Sequence, residues 1–427
     1  MTQLVQNLNN KIHSAEFLEQ HRKSDKDFTR NRSLTFPRLI TFMLNMVNGS
    51  LQSELNRFFQ VVHDCPVAVQ SVTAAALCKA RKKFSHTAFK ALNQTLVQTF
   101  YDSANIKRWK GFRLLAVDGS VVQLPEKSEL FERFGQAGSF SYNPSVRFSQ
   151  LYDVKNKLTV DMQIEPYRTS ERDLAVRHLE CANPNDLILY DRGYPATWMF
   201  ILHKQKRVNF CMRAIVDSSN ILASFFYSDD NDRVVTIPCT EKSLRRCRKD
   251  GLPTESIAVR LVKVRLASGI TEVLMTSLLD QETYPLEIFK DLYHQRWGIE
   301  EDYKLLKSRL DLENYSGYSE ESVLQDLHAK VLTKNITAVA IFEAEEIKEE
   351  RCKHRKLKYR INTTHALSQL KDNIVRLLLN TSAPDLSGLL INCISKVTDA
   401  YRPERSFKRE SKRHNWKKYP MAYKRIA

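Results

Sequence analysis

The sequence lacks the features that mark several specialised classes of protein. No apolar run approaches the roughly 20 residues that a membrane-spanning helix needs, and the N-terminal stretch MTQLVQNLNNKIHSAEF has no signal-peptide apolar core. The eight cysteines include no C-x2-C pair, which favours reduced thiols over a disulfide framework or a zinc site. Internal repeats and long low-complexity tracts are also absent. We therefore expect a cytoplasmic protein with no membrane association, folded into two or three domains.

Positive charge, by contrast, is abundant and is concentrated at the two ends of the chain. The 427 residues carry a formal net charge of +17. Residues 1–100 contain 13 Lys/Arg against 6 Asp/Glu, and residues 402–427 contain 10 against 2, so the middle of the chain is almost neutral. This distribution predicts ends that bind a polyphosphate and a central site that needs its carboxylates. A basic tail is equally typical of a disordered, solvated end.

Hydrophobic periodicity predicts helical regions at both ends. Apolar residues recur at helical spacing over 37–48, 50–60 and 71–101, which predicts an all-α N-terminal domain, residues 1–105. The basic cluster Arg81-Lys82-Lys83 makes this domain a candidate for DNA binding, but no helix-turn-helix signature identifies a recognition helix. Residues 346–427 are predicted to form a helical, basic C-terminal region.

The middle region, residues 106–345, is predicted to be an α/β domain. Residues 112–117 are predicted as a buried strand that ends in a turn at Asp118-Gly119-Ser120, and residues 187–190 as a second buried strand that ends at Asp191. Functional side chains converge at strand ends in α/β folds, so the two aspartates are candidates for one site. Each also has an ordinary explanation, because aspartate beside glycine is common in turns. Residues 216–282 are predicted to be β-rich.

The most distinctive motif is YHQRWGIEEDYKLLK, with the spacing Y-x2-R-x3-E-x6-K. A single helix is predicted from Pro285 to Leu310, since proline suits a first helical turn. At about 100° per residue, the Tyr, Arg, Glu and Lys fall within an arc of roughly 60°. A solvated charged face is the ordinary explanation of such a row. An apolar stripe roughly 80° around the helix predicts its buried face. The stripe consists of Ile288, Leu292, Ile299, Tyr303, Leu306 and Leu310.

Two strand-end aspartates and a helix glutamate form a set of hard oxygen ligands. Asp118, Asp191 and Glu300 are therefore the candidate catalytic residues and the candidate ligands of Mg²⁺ or Mn²⁺. Paired divalent ions can activate an attacking oxygen and stabilise a leaving oxygen at phosphorus. Arg296 and Lys307 would then hold DNA phosphates.

With these residues in place, the sequence resembles the DDE transposases of bacterial insertion sequences that carry the Y-R-E-K signature. Tyr293, Arg296, Glu300 and Lys307 match that spacing without a gap. The contexts of the two aspartates, LLAVDGS and LILYDRGY, are similar to the family's patterns, and SLQSELNRFF is similar more loosely. The resemblance extends from about residue 30 to residue 427.

The resemblance implies a ribonuclease H-like catalytic core with a β-rich insertion, residues 216–282, before the glutamate. It implies that Asp118, Asp191 and Glu300 bind two Mg²⁺ (or Mn²⁺) ions. Its phosphate-contacting residues correspond to Tyr293, Arg296 and Lys307 of this sequence. Related enzymes stack a tryptophan on an extruded base. Trp297 is placed to do this, although core packing would explain it equally well.

The activity implied by the resemblance is cut-and-paste transposition. Such an enzyme cleaves double-stranded DNA at the terminal inverted repeats of an insertion sequence, usually through a hairpin intermediate, and joins the 3′ ends to target DNA. A homodimer on paired ends is implied as well. Two alternatives remain open: a ribonuclease H-like nuclease without strand transfer, and an inactive transposase-derived DNA-binding protein. The complete Y-R-E-K row disfavours the first, and the intact acidic triplet disfavours the second.

Overall fold

A computed structural model describes residues 1–30, 32–46, 49–138, 142–266, 268–379 and 385–400. The basic run 402–427, for which we predict phosphate binding, lies outside the described residues. Within the described ranges, no helix is both long enough and apolar enough to cross a membrane.

The β-strands form one large mixed sheet and one short ribbon. The strands are β1 (Leu114–Gln123), β2 (Ser145–Asp153), β3 (Leu158–Pro166), β4 (Leu187–Tyr190), β5 (Asn209–Arg213), β6 (Asp232–Ile237), β7 (Ile257–Arg265), β8 (Thr271–Thr276), β9 (Tyr359–Ile361) and β10 (Thr398–Ala400). The large sheet has the order β3-β2-β1-β4-β5-β8-β7-β6, while β9 pairs with β10. Its central strands β1, β4 and β5 are parallel, and β8, β7 and β6 continue it in antiparallel fashion.

Helices make up most of the remaining described chain. They are α1 (Thr2–His13), α2 (Ala15–His21), α3 (Phe36–Leu44), α4 (Leu51–Val62), α5 (Ala74–Arg81), α6 (Thr87–Ser103), α7 (Ser128–Phe134), α8 (Glu171–His178), α9 (Thr197–Lys206), α10 (Asn220–Tyr227), α11 (Glu241–Lys249), α12 (Ile288–His294), α13 (Trp297–Ser308), α14 (Glu320–Cys352), α15 (Thr363–Leu370), α16 (Asn373–Leu379) and α17 (Leu386–Lys396).

The predicted β-rich segment 216–282 is not a separate β body. Its strands β6, β7 and β8 extend the large sheet from the β5 edge, and it also contains α10 and α11.

Strand β1 continues beyond the turn predicted at Asp118-Gly119-Ser120, so that prediction is wrong. The strand runs to Gln123, and only its burial changes, from fully buried over 114–117 to partly exposed over 118–121. A Cβ on Gly119 would lie 3.2 Å from Cδ of Glu171. The glycine therefore allows the close approach of α8 to the strand and does not make a turn.

The predicted helix from Pro285 to Leu310 is two helices, α12 and α13, separated by Gln295 and Arg296. The amide of Gln295 donates to the Leu292 carbonyl at 3.2 Å and that of Arg296 to the Tyr293 carbonyl at 3.1 Å, the i to i−3 pattern of a tight 3-10 turn. The prediction that one helix carries all four polar side chains within a 60° arc is therefore wrong. The apolar stripe is buried as predicted, except that Ile288 is only partly buried.

The chain divides into two compact units. The first contains the described residues of Met1–Asn105, Val121–Val146 and Lys304–Ala427, and its long helix α14 packs against α6 and α17. The N-terminal and C-terminal helices thus share this unit, while the borders at residues 105 and 345 remain predictions. Within it Arg81 is buried and pairs with Asp326 at 3.0 Å, so this member of the predicted basic cluster faces the interior.

The second unit comprises Ile106–Ser120 and Arg147–Tyr303. It carries the large sheet together with α8 to α12 and the first turns of α13. Asp118, Asp191, Tyr293, Arg296 and Glu300 all belong to it.

Candidate active site

The register of the parallel strands brings the two aspartates side by side. Leu114 of β1 faces Leu187 of β4, and Ala116 faces Leu189. Continuing that register by two positions places Asp118 opposite Asp191. Neighbouring strands lie about 4.8 Å apart. Although 72 residues separate the two aspartates in the sequence, they therefore lie at adjacent strands of the sheet.

Asp191 is paired with an arginine from the next strand. The β4–β5 register aligns Tyr190 with Met212, which places Arg213 beside Asp191. Arg213 Nη2 lies 2.7 Å from Asp191 Oδ1, and Arg213 Nη1 lies 2.6 Å from Oε1 of Glu272. Oδ1 of Asp191 is buried, and the 2.7 Å contact does not have hydrogen-bond geometry. This oxygen therefore keeps acceptor capacity that no described residue fills.

Arg296 connects Glu300 to Asp118. Its Nη2 donates to Oε1 of Glu300 at 2.6 Å, and its Nη1 lies 3.7 Å from Oδ2 of Asp118. The 3-10 turn between α12 and α13 directs this arginine inward. Its side chain is only 7% exposed, whereas those of Asp118, Glu300 and Asp191 are 23%, 29% and 32% exposed. The three carboxylates are therefore partly exposed to solvent, whereas the guanidinium of Arg296 between them is buried.

The pKa of Asp118 depends on its burial and on the charges around it. Burial raises the pKa of Asp118 to about 6, while Arg296 and the Gly119 amide act in the opposite direction. The negative charges of Glu300 and Asp191 raise that pKa further. A carboxyl group held above its usual range lacks sufficient compensating positive charge.

The residues present fit a divalent cation, although they are not arranged as a finished metal site. Among the described residues, no group of three His, Cys, Asp or Glu side chains is positioned to hold a metal ion. Arg213 and Arg296 neutralise the carboxylates instead. The donors are hard oxygens of the kind that Mg²⁺ and Mn²⁺ prefer. The raised pKa of Asp118 indicates room for additional positive charge, and Oδ1 of Asp191 has no hydrogen-bond donor.

The other signature residues have distinct surroundings. Tyr293 is buried, its pKa is raised by burial, and its hydroxyl donates to the Tyr190 carbonyl at 3.1 Å, which holds α12 against the end of β4. Lys307 belongs to the first compact unit, where its ammonium donates to the Val121 carbonyl at 2.9 Å and partial desolvation lowers its pKa. Trp297 is 44% exposed, so core packing does not explain it.

Two residues of this site are not identified by the sequence motif. Arg213 pairs with Asp191 only because of strand register. Tyr303, predicted simply as part of the apolar stripe, donates its hydroxyl to the Asp118 carbonyl at 2.8 Å and lies 3.3 Å from the Phe148 carbonyl. Tyr303 thus positions the backbone of Asp118.

Comparisons with known proteins give matches along most of the chain. A family model described as a transposase DDE domain matches residues 109–336. The transposase InsG of insertion sequence element IS4 from Escherichia coli (strain K12) is 24% identical over 371 residues, covering 83% of this chain and 79% of that protein. The transposase of insertion sequence element IS231E from Bacillus thuringiensis subsp. finitimus is 20% identical over 327 residues, covering 66% of each.

The fold is also similar to that of a solved transposase. A cryo-EM structure of the piggyBac transposase synaptic complex with hairpin DNA superposes with a TM-score of 0.51 at 10% identity, covering 94% of this chain and 87% of that one. The Y-R-E-K subgroup itself stays a prediction. Because the family model spans more than half of the chain and contains the whole carboxylate site, the protein belongs to the family of transposases with a DDE domain.

Proposed function

We propose that this DNA transposase cleaves double-stranded DNA at the terminal inverted repeats of an insertion sequence and transfers the 3′ ends to target DNA, using Asp118, Asp191 and Glu300. One observation carries the assignment of these residues. Strand register places Asp118 beside Asp191, and Arg296 contacts both Asp118 and Glu300, so three carboxylates from distant segments share one charged neighbourhood.

The three carboxylates would hold two Mg²⁺ (or Mn²⁺) ions. When bound, such ions supply activation of the attacking oxygen and stabilisation of the leaving oxygen. Residues of the chain itself position the three carboxylates. Arg296 and Arg213 lie against the carboxylates and offset part of their negative charge, and Tyr303 and Tyr293 fix the backbone beside Asp118 and Asp191.

The cations around the carboxylates would position the phosphates of the DNA. The Nε atoms of Arg296 and Arg213 are buried and have no hydrogen-bond partner in the described structure. Because these Nε atoms are buried, the two guanidinium groups would act on a DNA phosphate through their positive charge and their outer N–H donors, and charge-assisted bonds to phosphate are among the stronger ones. Lys307 would contact a further phosphate, with Tyr293 fixing the start of the motif. The exposed ring of Trp297 would stack on an extruded base during hairpin formation.

The architecture supports a ribonuclease H-like core for this chemistry. Its five-strand part, β3-β2-β1-β4-β5, has the parallel trio β1, β4 and β5 at its centre, and the candidate carboxylates lie along these strands and on α13. We assign recognition of the element ends to the N-terminal helices of residues 1–105, assisted by the basic run 402–427. Two ends must be brought together, so the active form is a homodimer on paired ends.

Metal binding tests the carboxylate assignment without reference to activity. Free Mn²⁺ is titrated into the purified protein and followed by electron paramagnetic resonance. We expect Asp118→Asn, Asp191→Asn and Glu300→Gln each to lose binding, since each removes one anionic ligand. The control is Asp291→Asn, because Asp291 is exposed on α12. Equal Mn²⁺ binding by all five proteins would overturn the assignment.

A further inference from the structure

Helix α11 carries an unusual density of positive charge on one side. Its sequence is EKSLRRCRK, and it lies in the segment between the second candidate aspartate and the glutamate. At about 100° per residue, Lys242, Arg245, Arg248 and Lys249 occupy an arc of about 120°. All four are exposed, whereas Ser243 and Cys247 on the opposite side are buried. We call these four cations the α11 basic face.

The α11 basic face is held in a fixed orientation. Arg246, at the edge of the face, lies 2.6 Å from Oδ1 of Asp173 on α8 and 4.7 Å from the ring of Trp198 on α9, and it also pairs with Asp250. The buried Trp198 and Cys247 anchor the same side of the helix. The helix therefore has one side bound to the protein and the other presented to solvent.

One turn of α8 links α11 to the loop that follows Asp191. Arg172 donates to the carbonyl of Gly193 at 2.9 Å and to that of Pro195 at 3.1 Å. The next residue, Asp173, binds Arg246 of α11. Two consecutive residues of α8 therefore hold both elements: Arg172 binds the loop after Asp191, and Asp173 binds helix α11.

The four positive charges of the α11 basic face are offset in part by one carboxylate, that of Glu241, which is exposed and lies within the same arc of the helix. None of its four cations makes an ion pair or a side-chain hydrogen bond with a described residue. Like charges at three- and four-residue spacing destabilise a helix. Four exposed cations against one carboxylate, on a helix that α8 connects to the loop after Asp191, point to an anionic ligand.

We propose that the α11 basic face binds the sugar-phosphate backbone of duplex DNA next to the cleavage site, without regard to base sequence. Lys242 and Lys249 are separated by roughly 10 Å along the helix axis. Phosphates of one strand follow each other at about 3.4 Å along the duplex axis, so the face spans about three of them. The proposal rests on the proposed function only in that the substrate is DNA, and it concerns binding and not cleavage.

The test compares binding of a fluorescent duplex of unrelated sequence by the full-length protein without divalent metal, between 50 and 200 mM salt. In the first variant, all four cations of the α11 basic face are replaced by Gln. We expect affinity at low salt to fall at least about tenfold and the salt slope to become shallower by about 2 to 3, since each lost phosphate contact contributes about 0.9. A duplex with the element's end sequence should lose affinity by the same factor.

Two controls make the result decisive. The charge-conserving variant Lys242→Arg, Arg245→Lys, Arg248→Lys, Lys249→Arg should keep the parent's slope. Removing four exposed cations elsewhere, by Lys353→Gln, Arg355→Gln, Lys356→Gln and Lys358→Gln, should change it less.

An unchanged slope in the first variant, with its thermal unfolding intact, would show a merely solvated face. Equal losses in the first variant and in this second control, or a loss confined to the end sequence, would also overturn the proposal. Cleavage of element ends by the parent protein is scored separately.

Discussion

At the scale of single residues, Asp118 lies where burial and charge oppose each other. Its carboxyl is held at a pKa of about 6, chiefly by burial, against an ordinary value of 3.8. In the folded protein it therefore retains a proton up to higher pH than in the unfolded chain. The free energy of unfolding therefore falls as the pH rises from about 4 to about 6. Above that range the full cost of ionising the buried Asp118 carboxyl is present.

Asp118→Asn should consequently stabilise the metal-free protein at neutral pH. The neutral amide removes the cost of ionising a buried carboxyl, which a pKa of about 6 against an ordinary value of 3.8 sets at no more than about 3 kcal/mol. At pH 4 the parent carboxyl is largely protonated when folded, so the gain should nearly vanish. Thermal unfolding in EDTA at pH 4 and pH 7.5 measures the difference. A variant less stable than the parent at pH 7.5 would contradict the assigned electrostatics.

Tyr303→Phe should affect chemistry more than DNA binding. The change removes the hydroxyl that donates to the Asp118 carbonyl, at a cost of about 1 kcal/mol in the free energy of unfolding. Because this hydrogen bond positions Asp118, nicking should slow while affinity for element ends is retained. The control is Tyr318→Phe, since Tyr318 is exposed. Parallel loss of binding and nicking would instead indicate a general structural defect.

The sequence allows some residues of the site to be predicted and not others. Arg296 and Glu300 are found by their spacing in one motif, and Asp118 and Asp191 by the apolar runs that precede them. Arg213 has no such signal, because its partnership depends on how β4 and β5 align, which local sequence does not encode. Tyr303 has the spacing of a core residue, and its hydroxyl contact follows only from tertiary packing.

At the scale of elements, the helix bearing the motif shows the limit of periodicity. A 3.6-residue period predicts the buried stripe of α13 well, since it reports which side is apolar. It does not reveal the 3-10 turn at Gln295 and Arg296, because the amides there remain hydrogen-bonded within the chain. The turn matters because it directs Arg296 toward both carboxylates.

Two glycines near these helices should respond oppositely to alanine. A Cβ on Gly298 would meet Val154 and Tyr152 at 3.7 to 3.8 Å, an ordinary contact, so Gly298→Ala should be neutral or stabilise by up to about 1 kcal/mol. A Cβ on Gly317 would lie 2.6 Å from Oγ of Ser322, so Gly317→Ala should destabilise by about 1 to 3 kcal/mol. Denaturant unfolding measures both. The reverse order would contradict the packing described here.

At the scale of the whole molecule, the arrangement of segments departs most from sequence order. The pattern of short apolar runs predicts the α/β middle correctly, and the mixed α/β fold is confirmed. Strands β6 to β8 join the main sheet because β8 pairs with β5 in antiparallel fashion. These two strands are about sixty residues apart in the sequence. Such long-range pairing leaves no mark in a local pattern, nor does the packing of N-terminal helices with C-terminal ones in a single unit.

Deleting residues 402–427 should weaken DNA binding in a salt-dependent manner. The segment carries 10 Lys/Arg against 2 Asp/Glu, and each neutralised phosphate releases counterions. The salt slope should become shallower while preference for the element's end sequence persists. Fluorescence anisotropy with end and unrelated duplexes measures both quantities. An unchanged slope would mean that the tail is only a solvated end.

The most direct test of the central claim compares two neighbouring glutamates on α13. Glu300 contacts Arg296 and belongs to the carboxylate site, whereas Glu301 is exposed. Both are changed to Gln, and a gel assay with labelled element ends and Mg²⁺ scores binding, nicking and joining separately. We expect Glu300→Gln to bind ends but neither to nick nor to join them, while Glu301→Gln does all three like the parent. Nicking by Glu300→Gln at the parent's rate would contradict it.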